Sequence, residues 1–267
     1  MSRRPKIMGI VNVTPDSFSD GGRFTSLDAA RNHAEEMIES GADIIDIGGE
    51  STRPGAKPVS VDEELRRVIP VISALSGCGA DISIDTRKPE VAKAAIQAGA
   101  HIWNDVTALS YQKDGPEMAA RLGCKVVLMH MQGTPENMQL APKYQNVVAE
   151  ILAYLKGRAS LALRAGVKRE NIIVDPGIGF GKRLSDNLDI LQHLDDFHML
   201  GYPVLLGASR KSFIGAIDKS TSKARLGGSL AAALWGASLG AQIVRVHDVA
   251  ETAQALNIWQ AIREREK

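Results

Sequence analysis

The stretch Lys6–Gly22, KIMGIVNVTPDSFSDGG, joins an apolar run to a polar residue at its end, and this arrangement is the basis of the fold prediction. The run Ile7–Val11 is apolar on both faces, as is typical of a parallel strand covered on each side by other elements. Asn12 follows the run, and the connection to the next helix carries hydroxyls, carboxylates and one aromatic ring. The rest of the chain repeats this unit.

About eight such runs alternate with stretches that carry helix signals, and no composition break or linker separates them. The runs are KIMGIVNV, DIIDIGG, DISID, HIWND, KVVLMH, NIIVD, PVLLG and QIVRV. Ser60 and Glu63 have the spacing of a capping box, and Asp248 opens the last helical stretch. Glycines suited to ending a helix precede most runs after the first: Gly41, Gly79, Gly99, Gly123, Gly166, Gly201 and Gly240. We therefore predict a single α/β domain over residues 1–267.

The polar residues at the ends of the runs distinguish between two α/β folds. These residues are Asn12, Asp46, Asp85, Asn104, His130, Asp175, Lys211 and Arg245. In a doubly wound sheet, which is the alternative, only the strands beside the topological switch point reach a ligand. In a closed barrel the carboxyl ends of all eight strands meet at one mouth. Polar residues on every strand therefore favour a (β/α)₈ TIM barrel.

Charge and cysteine content narrow the class of partner. The chain has 32 basic and 31 acidic residues, so no net field draws it to nucleic acid or to an anionic membrane, and we expect small-molecule partners. Leu226–Val244 carries no charge but is rich in Gly, Ala and Ser, which predicts a buried helix and strand rather than a membrane span. Cys78 and Cys124 are far apart, which indicates neither a zinc site nor a disulfide framework and fits the cytoplasm.

Asp175, in IIVDPGIGFG, is the main candidate for binding a planar ring. The neighbouring glycines let the backbone approach a ligand, and Phe180 offers a flat apolar wall. A carboxylate can accept two parallel hydrogen bonds from the edge of an amino-pyrimidinone. Asp85 and Asn104 would add acceptors and donors at the same mouth. The alternative is that these side chains only cap or form turns after their strands.

Lys211, Arg245 and His247 form a predicted cationic cluster. Arg245 and His247 are two residues apart on one strand and so share a face, and Lys211 precedes Ser212 near a predicted helix start. TIM barrels often hold phosphate beside the loops that follow the last two strands. We therefore expect an anion subsite there. The alternative is that Arg245 pairs with a neighbouring carboxylate and that Lys211 is solvated.

The loops NVTPDSFSDGG and GGESTRPGAKP are long for connections of this kind, which suggests that they act as lids. Arg53, held by Pro54, would lie over an anion or an aromatic ring. The alternative for the second loop is an ordered surface turn held by Glu50. We expect Met129 and His130 to pack in the wall rather than to bind a ligand, because the chain has no residue spacing typical of a zinc site.

Eight motifs occur in order over essentially the whole chain: NVTPDSFSDGG, IIDIGGESTRPGA, ISIDT, NDV, LMHMQG, DPGIGFGK, SRKS and RVHD. Together they closely resemble the bacterial dihydropteroate synthases. The resemblance implies a TIM barrel that condenses p-aminobenzoate with 6-hydroxymethyl-7,8-dihydropterin pyrophosphate and releases pyrophosphate. It also implies Mg²⁺ as a cofactor, a homodimer, and a target for sulfonamides.

The resemblance further implies a role for each matching residue. The residues implied to hold the pterin are Asp85, Asn104, Asp175 and Lys211, lined by Met129 and Phe180. Those implied on the pyrophosphate side are Thr52, Arg53, Arg245 and His247, with Asn12 at the metal. Those implied to receive p-aminobenzoate are Phe18 and Pro54, over its ring, and Ser212, at its carboxylate.

Division of the mouth into acceptors and cations predicts an S_N1-like reaction. Pyrophosphate would leave once its charge is neutralised, and the arylamine would then capture a pterin carbocation.

Two other functions stay open on the sequence alone. A methyltetrahydrofolate:corrinoid methyltransferase would share the acceptors but would not need the cationic cluster. A pterin-binding protein without catalytic activity would not need lids.

Overall fold

The computed structural model describes residues 4–14, 23–51 and 55–265. Within these ranges the strands are β1 Lys6–Asn12, β2 Ile44–Gly48, β3 Asp81–Asp85, β4 Ile102–Asp105, β5 Lys125–Met129, β6 Ile172–Asp175, β7 Leu205–Leu206 and β8 Ile243–Val246. The helices are α1 Arg23–Glu39, α2 Val61–Leu75, α3 Pro89–Gln97, α4 Gly115–Leu122, α5 Val147–Ala165, α6 Leu184–Gln192, α7 Ser212–Asp218, α8 Leu226–Ser238 and α9 Val249–Glu264. Each predicted apolar run therefore contains one strand.

The eight strands are parallel and follow the order β6-β5-β4-β3-β2-β1-β8-β7. Between β6 and β7 the connection is an isolated bridge, in which Val174 N donates to Pro203 O at 2.9 Å. Pro203 has no N–H, so it cannot donate to a carbonyl of β6, which limits the ladder at this edge. The sheet is a nearly closed barrel, so the predicted TIM barrel is confirmed and the doubly wound sheet is excluded.

Local signals in the sequence account for the helix boundaries. Ser60 Oγ accepts a hydrogen bond from Glu63 N at 3.3 Å and so caps α2, as predicted. All seven glycines predicted to end helices have left-handed φ angles, from 64° at Gly123 to 117° at Gly99. Glycine adopts this region without steric cost. The chain therefore turns back toward the barrel where the sequence predicts.

The barrel interior changes from apolar to polar along the strands. Its amino-terminal layer is formed by Met8, Ile44, Ile102, Val127, Ile173, Leu205 and Ile243. Side chains two residues apart on a strand share a face, so the next layer contains Asp46, Asn104, Asp175 and Arg245. The apolar layer closes the base of the barrel, and polar groups face its carboxyl-terminal mouth.

The uncharged segment Leu226–Val244 forms α8 followed by β8, as predicted. Ala232, Ala233 and Ala237 are buried on α8, where small side chains let the helix pack closely against the barrel. Throughout the described ranges, no helix combines the length and the apolar character needed to cross a membrane.

Candidate functional site

The mouth of the barrel contains a cavity of about 460 Å³. The predicted site residues that line it are Asn12, Asp85, Phe180, Lys211, Ser212, Arg245 and His247. Asp175 lies beside it: a Cβ built on Gly207, which lines the cavity, would stand 3.9 Å from Asp175 Oδ2 and 4.0 Å from Arg245 Cβ. Residues from both ends of the chain therefore surround one space.

Arg245 is the centre of a buried ionic group at the floor of this cavity. Its Nε donates to Asp46 Oδ2 at 2.6 Å, and its Nη2 donates to Asp85 Oδ2 at 2.7 Å. Asn104 Nδ2 donates to the same Asp46 oxygen at 3.1 Å. Asp46 is fully buried, so it needs this positive partner. The alternative stated for Arg245, pairing with a neighbouring carboxylate, is therefore what the structure shows, and its role in an anion subsite stays a prediction.

Two carboxylate oxygens in this group are buried without a hydrogen-bond partner among the described residues. They are Asp46 Oδ1 and Asp85 Oδ1. Burial raises the pKa of Asp85 to about 7 against the opposing attraction of Arg245. An unsatisfied buried acceptor is costly, so a donor from a bound ligand would stabilise it. Asp85 also lines the cavity, so its carboxyl group lies beside the space that a ligand would occupy.

Asp175 stabilises the turn that follows β6 and also lies beside the cavity. Its Oδ1 accepts a hydrogen bond from Gly177 N at 2.7 Å, so the turn-forming alternative is correct for this oxygen. A carboxylate has about four acceptor positions, and this bond uses one of them. Burial raises the pKa of Asp175 to about 6, although the Gly177 bond and the charges of Lys211 and Lys182 oppose the shift.

Phe180 forms one wall of the cavity together with methionines. It packs in a buried cluster with Met129, Met138 and Val106. Lys211 Nζ lies 3.9 Å from the centroid of the Phe180 ring, a cation–π contact. Met129 and Phe180 therefore pack where the sequence predicted an apolar wall.

Lys182 is a buried residue that the sequence analysis missed. Its Nζ lies 3.0 Å from His130 Nδ1, 3.2 Å from His130 O and 3.0 Å from Phe180 O. Burial lowers the pKa of Lys182 to about 7 and, with the nearby charge of Lys182, the pKa of His130 to about 3. His130 is thus a neutral acceptor that packs edge-on against Tyr154, in agreement with its predicted packing role. The sequence offered one signal for Lys182, which is the last residue of the motif DPGIGFGK.

His247 is neutral, which corrects its predicted place in a cationic cluster. Burial, together with the charges of Arg245, Arg210 and Lys211, lowers the pKa of His247 to about 4. Its Nδ1 lies 3.0 Å from Ser209 Oγ, and its backbone N donates to the same oxygen at 3.2 Å. Two guanidinium groups and one ammonium near this partly buried ring disfavour a further positive charge.

The connection that follows β2 is closed at its base by Glu50, a cavity-lining residue. Glu50 Oε1 accepts from Val59 N at 2.8 Å and lies 3.2 Å from Lys88 Nζ, while Oε2 accepts from Arg87 Nε at 3.2 Å. Lys88 Nζ also contacts the fully buried Glu64 at 2.5 Å. The alternative of a turn held by Glu50 is therefore correct for this base. The predicted site residues Phe18, Thr52, Arg53 and Pro54 lie outside the described residues.

Asn12 is the predicted metal ligand and ends β1 at the cavity wall. A Cβ built on Gly48 would stand 3.8 Å from both Asn12 Oδ1 and Asp85 Oδ2, so both side chains border the space beside Gly48. The described residues contain no group of three or more His, Cys, Asp or Glu side chains that could hold a metal. Mg²⁺ usually takes one or two protein oxygens and completes its shell with water and substrate phosphate. Asn12 fits that mode rather than a resident metal cage.

Ser212 begins α7 and lines the cavity. The same cavity is lined by Ser222, Lys223 and Arg225, which the sequence did not identify as site residues. Arg225 Nη1 donates to Arg210 O at 3.0 Å and thereby ties this segment to the loop that follows β7. In the sequence these residues could not be told from an ordinary solvated turn.

The chain is similar to proteins of known family. The pterin binding enzyme family matches residues 8–247. The dihydropteroate synthase of Escherichia coli K12 is 51% identical over 258 residues, which cover 96% of this chain and 91% of that protein. The Yersinia pestis dihydropteroate synthase, solved with a sulfonamide drug complex, has a TM-score of 0.93 and 46% identity, covering 98% of this chain and 95% of its own. The Xanthomonas albilineans dihydropteroate synthase with 4-aminobenzoic acid has a TM-score of 0.92 and 50% identity. The match covers 97% of this chain and 93% of that one.

Proposed function

The chain belongs to the dihydropteroate synthase family, and from this premise we propose how the residues of its barrel mouth divide the reaction between them. The enzyme is a transferase of folate biosynthesis that joins p-aminobenzoate to the pterin of 6-hydroxymethyl-7,8-dihydropterin pyrophosphate. The observation that carries the assignment of residues is a single cavity lined by Asp85, Lys211 and Arg245 together. The names of the relatives favour a synthase over methyl transfer to a corrinoid and over pterin binding without catalysis.

The pterin is proposed to lie over the buried carboxylates. Asp175 and the unpaired oxygen of Asp85 would accept hydrogen bonds from the ring, and Asn104 would contact it beside Asp46. Met129 and Phe180 would pack against the ring face, and Lys211 would donate to a ring acceptor. Support comes from the burial of these acceptors, because a ligand N–H gives them partners that water cannot supply there.

The pyrophosphate is proposed to lie toward β8 and the connection that follows β2. His247 would donate a hydrogen bond as a neutral ring, and Arg245 would act mainly by ordering Asp46 and Asp85. Thr52 and Arg53 are assigned to the same anion by resemblance alone. Asn12 would hold Mg²⁺, which when bound supplies positive charge to the leaving group.

Bond breaking is proposed to precede bond formation. The C–O bond between the pterin methylene and pyrophosphate breaks, and the electron pair leaves with pyrophosphate. The carboxylates of Asp46, Asp85 and Asp175 favour the positive charge that develops on the pterin. The neutral arylamine then forms the C–N bond and releases a proton to solvent. Phe18 and Pro54 would cover its ring, and Ser212 would bind its carboxylate.

Release of pyrophosphate tests this function directly. Purified protein should release pyrophosphate only when both dihydropterin pyrophosphate and p-aminobenzoate are present, and chelation of Mg²⁺ should stop the reaction. A coupled pyrophosphate assay measures this. Turnover with either substrate alone, or no turnover with both, would contradict the proposal.

Asp175→Asn should weaken binding of dihydropterin pyrophosphate by roughly 1.5–3 kcal/mol, the worth of a hydrogen bond to a charged group. The amide keeps the shape of the side chain and one acceptor, but it loses the charge and the second carboxylate oxygen. Isothermal titration calorimetry measures the affinity. Asp195→Asn, an exposed site, is the matched control. Equal affinities of Asp175→Asn and wild type would leave Asp175 as a turn residue only.

A homodimer is proposed to form through the groove between α6, α7 and α8. This groove has a volume of about 600 Å³, and Leu188, Ile217 and Trp235 beside it are 41%, 59% and 50% exposed. Exposed apolar groups in one patch favour contact with another protein surface.

We further propose that residues 1–267 form one domain. We also propose that the enzyme is cytoplasmic, since Cys78 and Cys124 are both free thiols.

Ile217→Asp should convert the dimer into a monomer, because a carboxylate would be buried in the apolar interface. Sedimentation equilibrium measures the mass. Ile258→Asp is the matched control, since Ile258 is 60% exposed on α9. A monomeric wild type, or equal dissociation of both variants, would refute the proposed interface.

A further inference from the structure

Ser209 holds two atoms of His247 with one hydroxyl group. Its Oγ lies 3.0 Å from His247 Nδ1 and accepts a hydrogen bond from His247 N at 3.2 Å. The β7–β8 ladder ends at Leu206 and Val244, so these contacts join the two chain segments beyond their last ladder pair. Ser209 is buried and lines the cavity with His247.

The hydrogen bonds of Ser209 favour one tautomer of the ring. A serine hydroxyl has one hydrogen and two acceptor positions, and the backbone N–H of His247 occupies one acceptor position. Within the described part of the chain, no other residue hydrogen-bonds to Ser209 Oγ. Among the described residues His247 Nδ1 is the one acceptor within reach of the hydroxyl hydrogen, and an Nδ1–H ring would leave that hydrogen without a protein partner. Nδ1 can accept only when the ring is neutral and carries its proton on Nε2.

Charges around the ring favour this neutral state. Arg245 on β8, Arg210 and Lys211 after β7 all face the ring, and Asp248 is the acid that opposes them. Arg210 is itself paired with Asp248, which reduces the influence of that acid. A proton on both ring nitrogens would add a charge next to three cations and would remove the acceptor that Ser209 uses.

We propose that Ser209 is a positioning residue that fixes the Nε2–H tautomer of His247, so that a neutral donor faces the pyrophosphate oxygens. Nε2 lies on the opposite side of the ring from Nδ1, away from Ser209. A neutral donor binds an oxyanion without adding to the charge of the cation-rich mouth, so it holds the leaving group in place and still lets the product dissociate. The inference rests on the proposed function of the cavity.

The tautomer can be measured without turnover. In ¹⁵N-histidine-labelled wild type at pH 7, we expect an unprotonated Nδ1 and a protonated Nε2 for His247. Inorganic pyrophosphate should shift the Nε2–H signal. Ser209→Ala should give a mixture of both tautomers, whereas Ser209→Thr keeps the hydroxyl and should preserve the wild-type pattern. Ser238→Ala, which removes an exposed hydroxyl at the end of α8, is the control.

Kinetics provide the second readout. Ser209→Ala should raise KM for dihydropterin pyrophosphate about fivefold, the effect of one net hydrogen bond, and leave KM for p-aminobenzoate unchanged. A doubly protonated ring or an Nδ1–H tautomer in the wild type would overturn the proposal, as would an unaltered tautomer in Ser209→Ala. Failure of the proposed function is distinguishable, because the wild type would then show the expected tautomer but no shift with pyrophosphate and no turnover.

Discussion

Arg245→Met is expected to abolish turnover and to lower the free energy of unfolding by about 3–5 kcal/mol, the typical cost of removing one partner from a buried ion pair. Two buried carboxylates, Asp46 and Asp85, would lose their shared cation, and Asn104 would lose the fixed position of the oxygen it binds. The variant therefore changes both the fold and the floor of the cavity.

The loss of stability should depend on pH. Burial already raises the pKa of Asp85 to about 7 with Arg245 present, and removal of the cation raises it further. A carboxyl group whose folded pKa is raised binds more protons in the folded than in the unfolded state, so stability falls as pH rises from about 4 through the folded pKa. The variant should thus be closer to wild type at pH 5 than at pH 8.

Urea unfolding at both pH values, with the pyrophosphate assay, measures these effects. Arg66→Met is the matched control, because Arg66 pairs with Glu63 on the exposed surface of α2 and should cost less than 1 kcal/mol. Arg245→Lys keeps the charge but not the two-pronged geometry, so it should recover part of the stability. If Arg245→Met unfolded like Arg66→Met, the buried ionic group would not have the importance assigned to it.

Lys88→Met is expected to cost a similar amount, about 3–5 kcal/mol, for a related reason. Lys88 Nζ lies between Glu64 at 2.5 Å and Glu50 at 3.2 Å, and Glu64 Oε1 has no partner among the described residues. Without the ammonium group, Glu64 would be a buried carboxylate with no cation close to it. Glu50 would keep its ion pair with Arg87 but lose its ion pair with Lys88 at the cavity wall.

Replacing Lys88 and Glu64 together distinguishes the cost of an unpaired buried charge from the cost of altered packing. Lys88→Met with Glu64→Leu should be more stable than Lys88→Met alone, since no buried charge is left unpaired. Lys125→Met is the control, because its contact with Asp81 is partly exposed and should be worth less than 1 kcal/mol. Urea unfolding midpoints compare the four proteins. A double variant less stable than the single one would show that the pair itself stabilises the fold.

Much of the fold follows from local features. Apolar runs place the strands, Ser60 places the start of α2, and glycines such as Gly99 place the helix ends, since each acts through its own backbone. Polar residues at the run ends favoured the barrel over the doubly wound sheet. The strand β7 was predicted as five residues and pairs over two, because the ladder there depends on its neighbours β6 and β8.

Alternation along a strand is a local property, so the sequence alone is enough to tell which side chains of one strand share a face: Arg245 shares a face with Ile243 whatever surrounds them. The pairing and the charge of the side chains at the barrel mouth depend on the folded barrel. Arg245 pairs with Asp46, 199 residues away in sequence, and burial among cations makes His247 neutral. Charge state and pairing depend on distances across the barrel and on exclusion of water, and neither exists until the sheet curves round and brings its distant strands together.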